Sequence, residues 1–208
     1  ASNTETLDLL VEASLSAGYE PDQDVVFGLD VAASEFFKDN KYQLSTENSS
    51  LDSNEMIVYL AKVIEKYPVV SIEDGLSQDE WSAWSDLTKQ LPDIQLVGDD
   101  LLVTNQNRLQ KAINEKAGNA ILIKLNQIGT LTETIRTIAL ARKNNWNTIV
   151  SHRSGETEDV TIAHLAVGAG AGQIKTGSVS RGERTAKHNE LMRIEDTNSD
   201  LKLNNPFV

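Results

Sequence analysis

Six short apolar runs in this sequence lead into residues able to do polar chemistry: Asp30, Glu73, Asp99, Lys124, the run Ser151-His152-Arg153-Ser154, and Lys175. Three carboxylates forced together repel and raise one another's pKa values unless a cation sits among them, and hard oxygen donors call for a hard divalent ion. Magnesium answers that description for Asp30, Glu73 and Asp99, because it keeps waters and completes its shell with substrate oxygens. Lys124 follows AILI, so its stem leaves an apolar strand and its ammonium faces a cavity expected to hold Lys175 as well. Desolvation and a nearby cation both lower a lysine's pKa and make it a usable base. Arg153 offers a planar fork that matches phosphate, and Ser154 adds a donor. A metal cage, an ammonium base and an anion clamp together suit removal of a weakly acidic proton next to a carboxylate, whose dianionic product needs concentrated positive charge.

Each residue also has a structural reading. A single Asp after a strand more often caps a helix or shapes a turn than ligates a metal, and Asp74 in EDG and Asp100 in GDD read as such turn residues. A lone strand-end lysine is more often solvated or paired with a carboxylate than catalytic. His152 has the alternative of a structural histidine, and Arg153 that of an ion pair with Glu156 or Glu158. The recurrence of carboxylates at three matching strand ends is harder to dismiss than any one of them. His164, inside a helical segment, and His188, beside Lys187, are assigned no role.

The elements that must position these residues alternate. Strands are expected at residues 25–30, 69–73, 94–98, 120–124, 148–151 and 172–175, with apolar residues on successive positions as in strands covered on both faces. Helical spacing fills the intervals: Met56, Ile57, Leu60, Ile64; Trp81, Trp84, Leu87, Leu91; Leu109, Ile113; Leu131, Ile135, Ile138; Ile162, Leu165, Ala166. Leu7, Leu10, Val11 and Leu15 form an opening helix capped by Ser2, Asn3 or Thr4. Six βα units after one helix make an α/β barrel of the TIM type that is two strands short, and the sequence reads as part of a larger architecture. A doubly wound open sheet is disfavoured, because no G-x-G-x-x-G turn follows a strand and polar residues end nearly every strand. Residues 32–52 exceed an ordinary βα loop and read as a small hairpin and lid-like excursion, and the tail after Ile194 is expected to fray.

Composition narrows the partners. Nineteen Lys and Arg against 31 Asp and Glu give a net charge of −12, which disfavours a nucleic-acid surface. With no cysteine there is no disulfide framework and no thiolate metal site, which fits a reducing cytoplasm. The opening residues have no basic leader pattern, and no stretch is apolar enough for a bilayer, so no membrane partner is expected. At 208 residues the default is one domain over residues 1–208.

FGLDVAASEFF (27–37), VVSIEDGL (69–76), LVGDDLLVTN (96–105), IKLNQIGTLTET (123–134), SHRSGETED (151–159) and GQIKTG (172–177) resemble the enolase family, in the same order, from about Thr4 to Glu195. IKLNQIGT and SHRSGETED are highly specific strings. The resemblance implies the C-terminal catalytic barrel of a magnesium-dependent hydro-lyase that dehydrates 2-phosphoglycerate to phosphoenolpyruvate in glycolysis and gluconeogenesis. It implies that Asp30, Glu73 and Asp99 bind the tighter of two Mg2+ ions, and that Lys124 takes the C2 proton. It further implies that Ser151, His152, Arg153 and Ser154 hold the substrate with Glu73, Asp99 and Lys124, while Lys175 pairs with its carboxylate. A cytoplasmic homodimer or higher oligomer is implied as well. In the family the general acid for the leaving hydroxyl, the N-terminal α+β domain and the first two barrel strands lie upstream of these strings. Gly182 and His164 depart from the usual residues without touching a proposed role. Two alternatives stay open: another lyase or racemase of the same superfamily, and a chain that binds without turnover.

Overall fold

The computed structural model describes residues 2–207, so Val208 of the expected tail lies outside the described residues. By packing, the chain divides into two compact units, one comprising Ala1–Leu101 with Asn114–Gly118 and the other Leu102–Ile113 with Asn119–Val208. Both are α/β.

The first unit opens with α1 (Asn3–Ser16), and of the three candidate caps it is Ser2 that serves. Its hydroxyl accepts the Glu5 amide at 3.2 Å while the Glu5 carboxylate accepts the Ser2 amide at 2.7 Å, a reciprocal arrangement that satisfies two donors at the helix start. Then follow β1 (Phe27–Asp30), β2 (Phe37–Lys38), β3 (Lys41–Leu44), β4 (Ser49–Leu51), α2 (Ser53–Lys66), β5 (Val69–Glu73), α3 (Trp81–Gln90) and β6 (Gln95–Gly98). Strands β1, β5 and β6 run parallel in that order, so each C-terminal end opens on the same side of this sheet. Every residue of β6 is buried, as expected for a strand covered on both faces. Helix α2 buries Met56, Ile57, Leu60 and Val63, one stripe of its surface, and repeats the capping box with Asp52 and Glu55. Trp84 of α3 is fully buried, and its indole N–H donates to the Ser77 carbonyl at 3.1 Å.

The excursion over residues 32–52 is larger than a hairpin: β2, β3 and β4 form a three-stranded antiparallel sheet. Tyr42 pins it. The ring is fully buried, with the Phe37 ring 4.7 Å away, and its hydroxyl donates to the Glu80 carboxylate while accepting the Ser77 amide at 2.9 Å. Ser53 donates to Glu80 Oε1 at 2.7 Å, which closes a small buried polar network. Burial, reinforced by the bond to Glu80, pushes the Tyr42 hydroxyl well above its ordinary pKa.

The second unit contains α4 (Gln106–Glu115, whose last residues belong to the first unit), β7 (Ala120–Ile123), α5 (Leu125–Ile128), α6 (Leu131–Lys143), β8 (Asn147–Ser151), α7 (Thr161–Gly168), β9 (Gly172–Lys175) and α8 (Gly182–Thr197). Strands β7, β8 and β9 are parallel in that order, and β7 is buried at each position. Strand ends match the sequence reading to within one or two residues. Helix α8 continues past Ile194, where the polar tail was expected to start. No helix among the described residues is long and apolar enough to cross a membrane.

Replacing Tyr42 with Phe keeps the ring but strands the Ser77 amide and leaves the Glu80 carboxylate with Ser53 as its donor. Tyr42→Phe should lower stability by about 1–3 kcal/mol, read as a reduced urea midpoint; an unchanged midpoint would mean that the network does not anchor the excursion.

Candidate functional site

In the first unit, register gathers the acids. Asp30 lies opposite Glu73 and Glu73 opposite Val97, so two carboxylates stand level at adjacent strand ends while Asp99 directly follows β6. Glu73 and Asp99 are buried and Asp30 is exposed. Loop amides carry the ladder past the strand ends: Val31 donates to the Glu73 carbonyl at 2.9 Å, Ala33 to the Asp74 carbonyl at 3.0 Å, and Asp74 to the Val97 carbonyl at 3.0 Å. Asp74, held at φ +46°, folds its side chain over the next loop, where Oδ1 accepts the Asp99 amide at 3.0 Å and Oδ2 the Asp100 amide at 2.8 Å. Among the described residues, Asp74, Asp99 and Asp100 thereby bring carboxylate oxygens within 4.8 Å of one another. Burial pushes the Asp74 carboxyl up to about 7 against the pull of the two amides, with the charges of Asp99 and Asp100 adding to the rise.

Such a set of hard oxygens fits magnesium, and a divalent cation there would relieve the repulsion. Of the three acids expected from the sequence, Asp99 alone belongs to this set, while Asp30 and Glu73 end the adjacent strands. Each oxygen of Asp74 already accepts an amide, so Asp74 holds the loop that presents Asp99. The sequence reading took Asp74 as a turn residue; its reach across to a loop some 25 positions on depends on the tertiary fold.

The second unit gathers cations. Ile123 is level with Val150, and Ser151 with Lys175, so Lys124, Ser151 and Lys175 end three adjacent strands. Lys124 leaves β7 as the residue that precedes α5, and its amide donates to Thr104 Oγ1 at 2.9 Å. Thr104 is fully buried and accepts Thr137 Oγ1 at its carbonyl at 3.0 Å. Thr104 and its neighbour Val103 sit at φ +56° and +44°, a region that β-branched residues enter only when their surroundings hold them there. Thr104 is therefore a placement residue for Lys124 that sequence reasoning passed over.

Ser151 is buried and donates to the His152 carbonyl at 2.9 Å, and the His152 amide donates to the Lys175 carbonyl at 2.9 Å. Arg153 does not take up the ion pair considered for it: its guanidinium donates to Asn126 Oδ1 at 3.0 Å, and its backbone amide to Glu156 Oε2 at 3.0 Å. Ser154 is exposed on the same turn. His164 pairs with Glu190 at 2.9 Å and His188 with Thr176 at 3.0 Å, so both have structural partners.

Sequence reasoning also missed Arg184 on α8. Its guanidinium reaches His152 Nδ1, the Arg153 carbonyl at 2.9 Å and the Ser154 carbonyl at 3.1 Å. Burial, then the charge of Arg184 and less strongly of Lys175, hold His152 below its ordinary pKa, with Glu156 pulling the other way. For Glu156 burial raises the pKa, but the amides of Arg153 and Thr157 and the ammonium of Lys187 outweigh it and leave the carboxyl below its usual value. The first unit can thus hold a divalent cation, and the second can bind an anion and offer an amine.

A family model described as enolase, C-terminal TIM barrel domain, matches residues 1–204.

Two outcomes follow from the geometry. Asp74→Asn turns an amide donor toward a backbone N–H and should weaken magnesium binding by about 10- to 100-fold in a calorimetric titration, the usual effect of losing a residue that orients ligands. Glu156 has a depressed pKa in the folded chain, so its stabilisation is present above its ordinary value of 4.5 and lost as pH falls through the folded value. The Arg153 amide proton shift should follow that loss in an NMR titration, and Glu156→Gln should flatten the curve.

Proposed function

The chain belongs to the enolase family, and from that premise we propose that the protein carrying it dehydrates 2-phosphoglycerate to phosphoenolpyruvate. The observation that carries this reading is the separation of chemistry by strand end: carboxylates end β1 and β5 and follow β6, whereas amines end or follow β7 and β9. A substrate with one carboxylate and one phosphate calls on both sets.

Magnesium, when bound by Asp30, Glu73 and Asp99, supplies positive charge for the carboxylate end of the substrate. Lys124, neutral at the moment of reaction, takes the C2 proton on Nζ and leaves the electron pair on the carbon skeleton. Lys175 faces the negative charge that this creates on the carboxylate. Arg153 and Ser154 bind the phosphate, Arg153 through two parallel N–H donors. Hydroxide then leaves C3 as the C2 electron pair forms the double bond. The family's general acid for that departure is not among the residues assigned here. Binding before and after proton loss differs in charge, so the cations stabilise the intermediate more than the ground state. The wider reading, a homodimer of the cytoplasm acting in glycolysis, rests on the family alone.

In the complete protein, Lys124→Ala should slow exchange of the C2 proton with solvent by about 10²–10⁴-fold, followed by deuterium NMR, while phosphoenolpyruvate still binds in magnesium. Exchange at the unaltered rate would sink the base assignment.

A further inference from the structure

We propose that Arg184 is a positioning residue: it fixes His152 as a neutral Nε2–H donor and ties back the two carbonyls that would otherwise oppose an anion on the Ser151–Ser154 turn. This deepens the reading of that turn as the phosphate site and rests on it.

One guanidinium serves three consecutive residues, reaching His152 Nδ1, Arg153 O and Ser154 O. Arginine has only donors and stays charged at any working pH, so its partner nitrogen on His152 must accept. The neutral ring therefore carries its proton on Nε2, the nitrogen that Arg184 leaves available. The charged groups facing the ring are Arg184 from α8, Lys175 from β9 and Glu156 from its own loop, and the two cations oppose a third positive charge. A peptide carbonyl aimed at a phosphate would repel it; with Arg153 O and Ser154 O engaged by Arg184, the turn presents side chains to the anion instead.

Two further features mark Arg184 as built in. Its side chain is only 13 % exposed. Gly177, at φ +88°, lies so close that a Cβ there would come within 2.5 Å of Arg184 Cδ and 3.1 Å of His152 Cε1, so the absence of a side chain is what admits the guanidinium. One helical turn on, Lys187 is fully buried and reaches Thr157 O, Glu183 O at 2.9 Å and Glu156 Oε1 at 3.4 Å. Glu156 in turn accepts the Arg153 amide, so α8 holds the loop at two points, and only the Arg184 point touches the imidazole.

Long-range ¹H–¹⁵N NMR of the histidine rings in the full chain tests this without substrate, and only three histidines need assigning. The unaltered protein should show His152 as Nε2–H with a midpoint below 6.5. Arg184→Met should give mixed tautomers and a midpoint moved up toward that ordinary value. Gly177→Ala, which displaces the guanidinium without deleting it, should do the same, and Arg184→Lys should restore the tautomer but leave phosphoenolpyruvate binding weakened. An unchanged His152 tautomer and midpoint in Arg184→Met, or in Gly177→Ala if the first variant does not fold, would overturn the proposal. Failure of the phosphate reading would appear separately, as absence of phosphoenolpyruvate binding by the unaltered complete protein.

Discussion

Asp74 is the knot on which the acidic end of the first unit depends. Its amide donates to Val97, its carbonyl accepts Ala33, and its two carboxylate oxygens accept Asp99 and Asp100. Four backbone groups, one from strand β6 and three from the segments that follow β1 and β6, thus converge on one residue held in a left-handed conformation. A buried carboxylate costs several kcal/mol unless its oxygens are engaged, and the two amide donors offset only part of that cost, since burial still pushes the carboxyl up to about 7. Like charge adds to it, since carboxylate oxygens of Asp99 and Asp100 lie within 4.8 Å. The loop therefore stores an electrostatic tension that a divalent cation removes.

The second unit solves the converse problem. Its strand ends bring Lys124 and Lys175 to flanking positions around Ser151, and helix α8 adds Arg184. Cations so gathered repel one another, and the structure disperses the repulsion through carbonyls: Arg184 on Arg153 and Ser154, Lys187 on Thr157 and Glu183. Glu156 supplies the local counter-charge. Arg184 and Lys187 spend most of their donors on these carbonyls, with Glu183 3.9 Å from Arg184 and Glu156 turned toward Lys187 and the Arg153 amide. Preorganisation of this kind favours charge that appears during reaction over charge present before it.

Much of this was legible in the sequence because strand-end chemistry is local. An apolar run followed by Asp, Glu or Lys announces both the strand and the residue it presents, and β5 and β9 have the ends expected of them. The starts of strands were less legible: Val25 makes only an isolated bridge with Pro21, so its apolar character reflects neighbouring cover and not a place in β1. The supporting residues were not legible at all. Asp74 and Arg184 act across 25 and about 31 positions, Thr104 reaches Lys124 across 20, and a single sequence gives no sign of which distant polar groups meet. Tyr42 shows the same limit, since a hairpin was read over its segment but nothing local signalled the bond to Glu80 that fastens the excursion.

Phosphoenolpyruvate binding by the complete protein is proposed to depend on magnesium held by the acids that end β1 and β5 and follow β6. Calorimetric titration of the complete protein with phosphoenolpyruvate, with and without Mg2+, tests it most directly. Binding should require the ion, and Asp99→Asn should abolish that requirement's benefit while Arg153→Ala weakens binding at any magnesium concentration. Equal affinity with and without magnesium, or loss of the magnesium effect in Arg153→Ala but not in Asp99→Asn, would contradict the account.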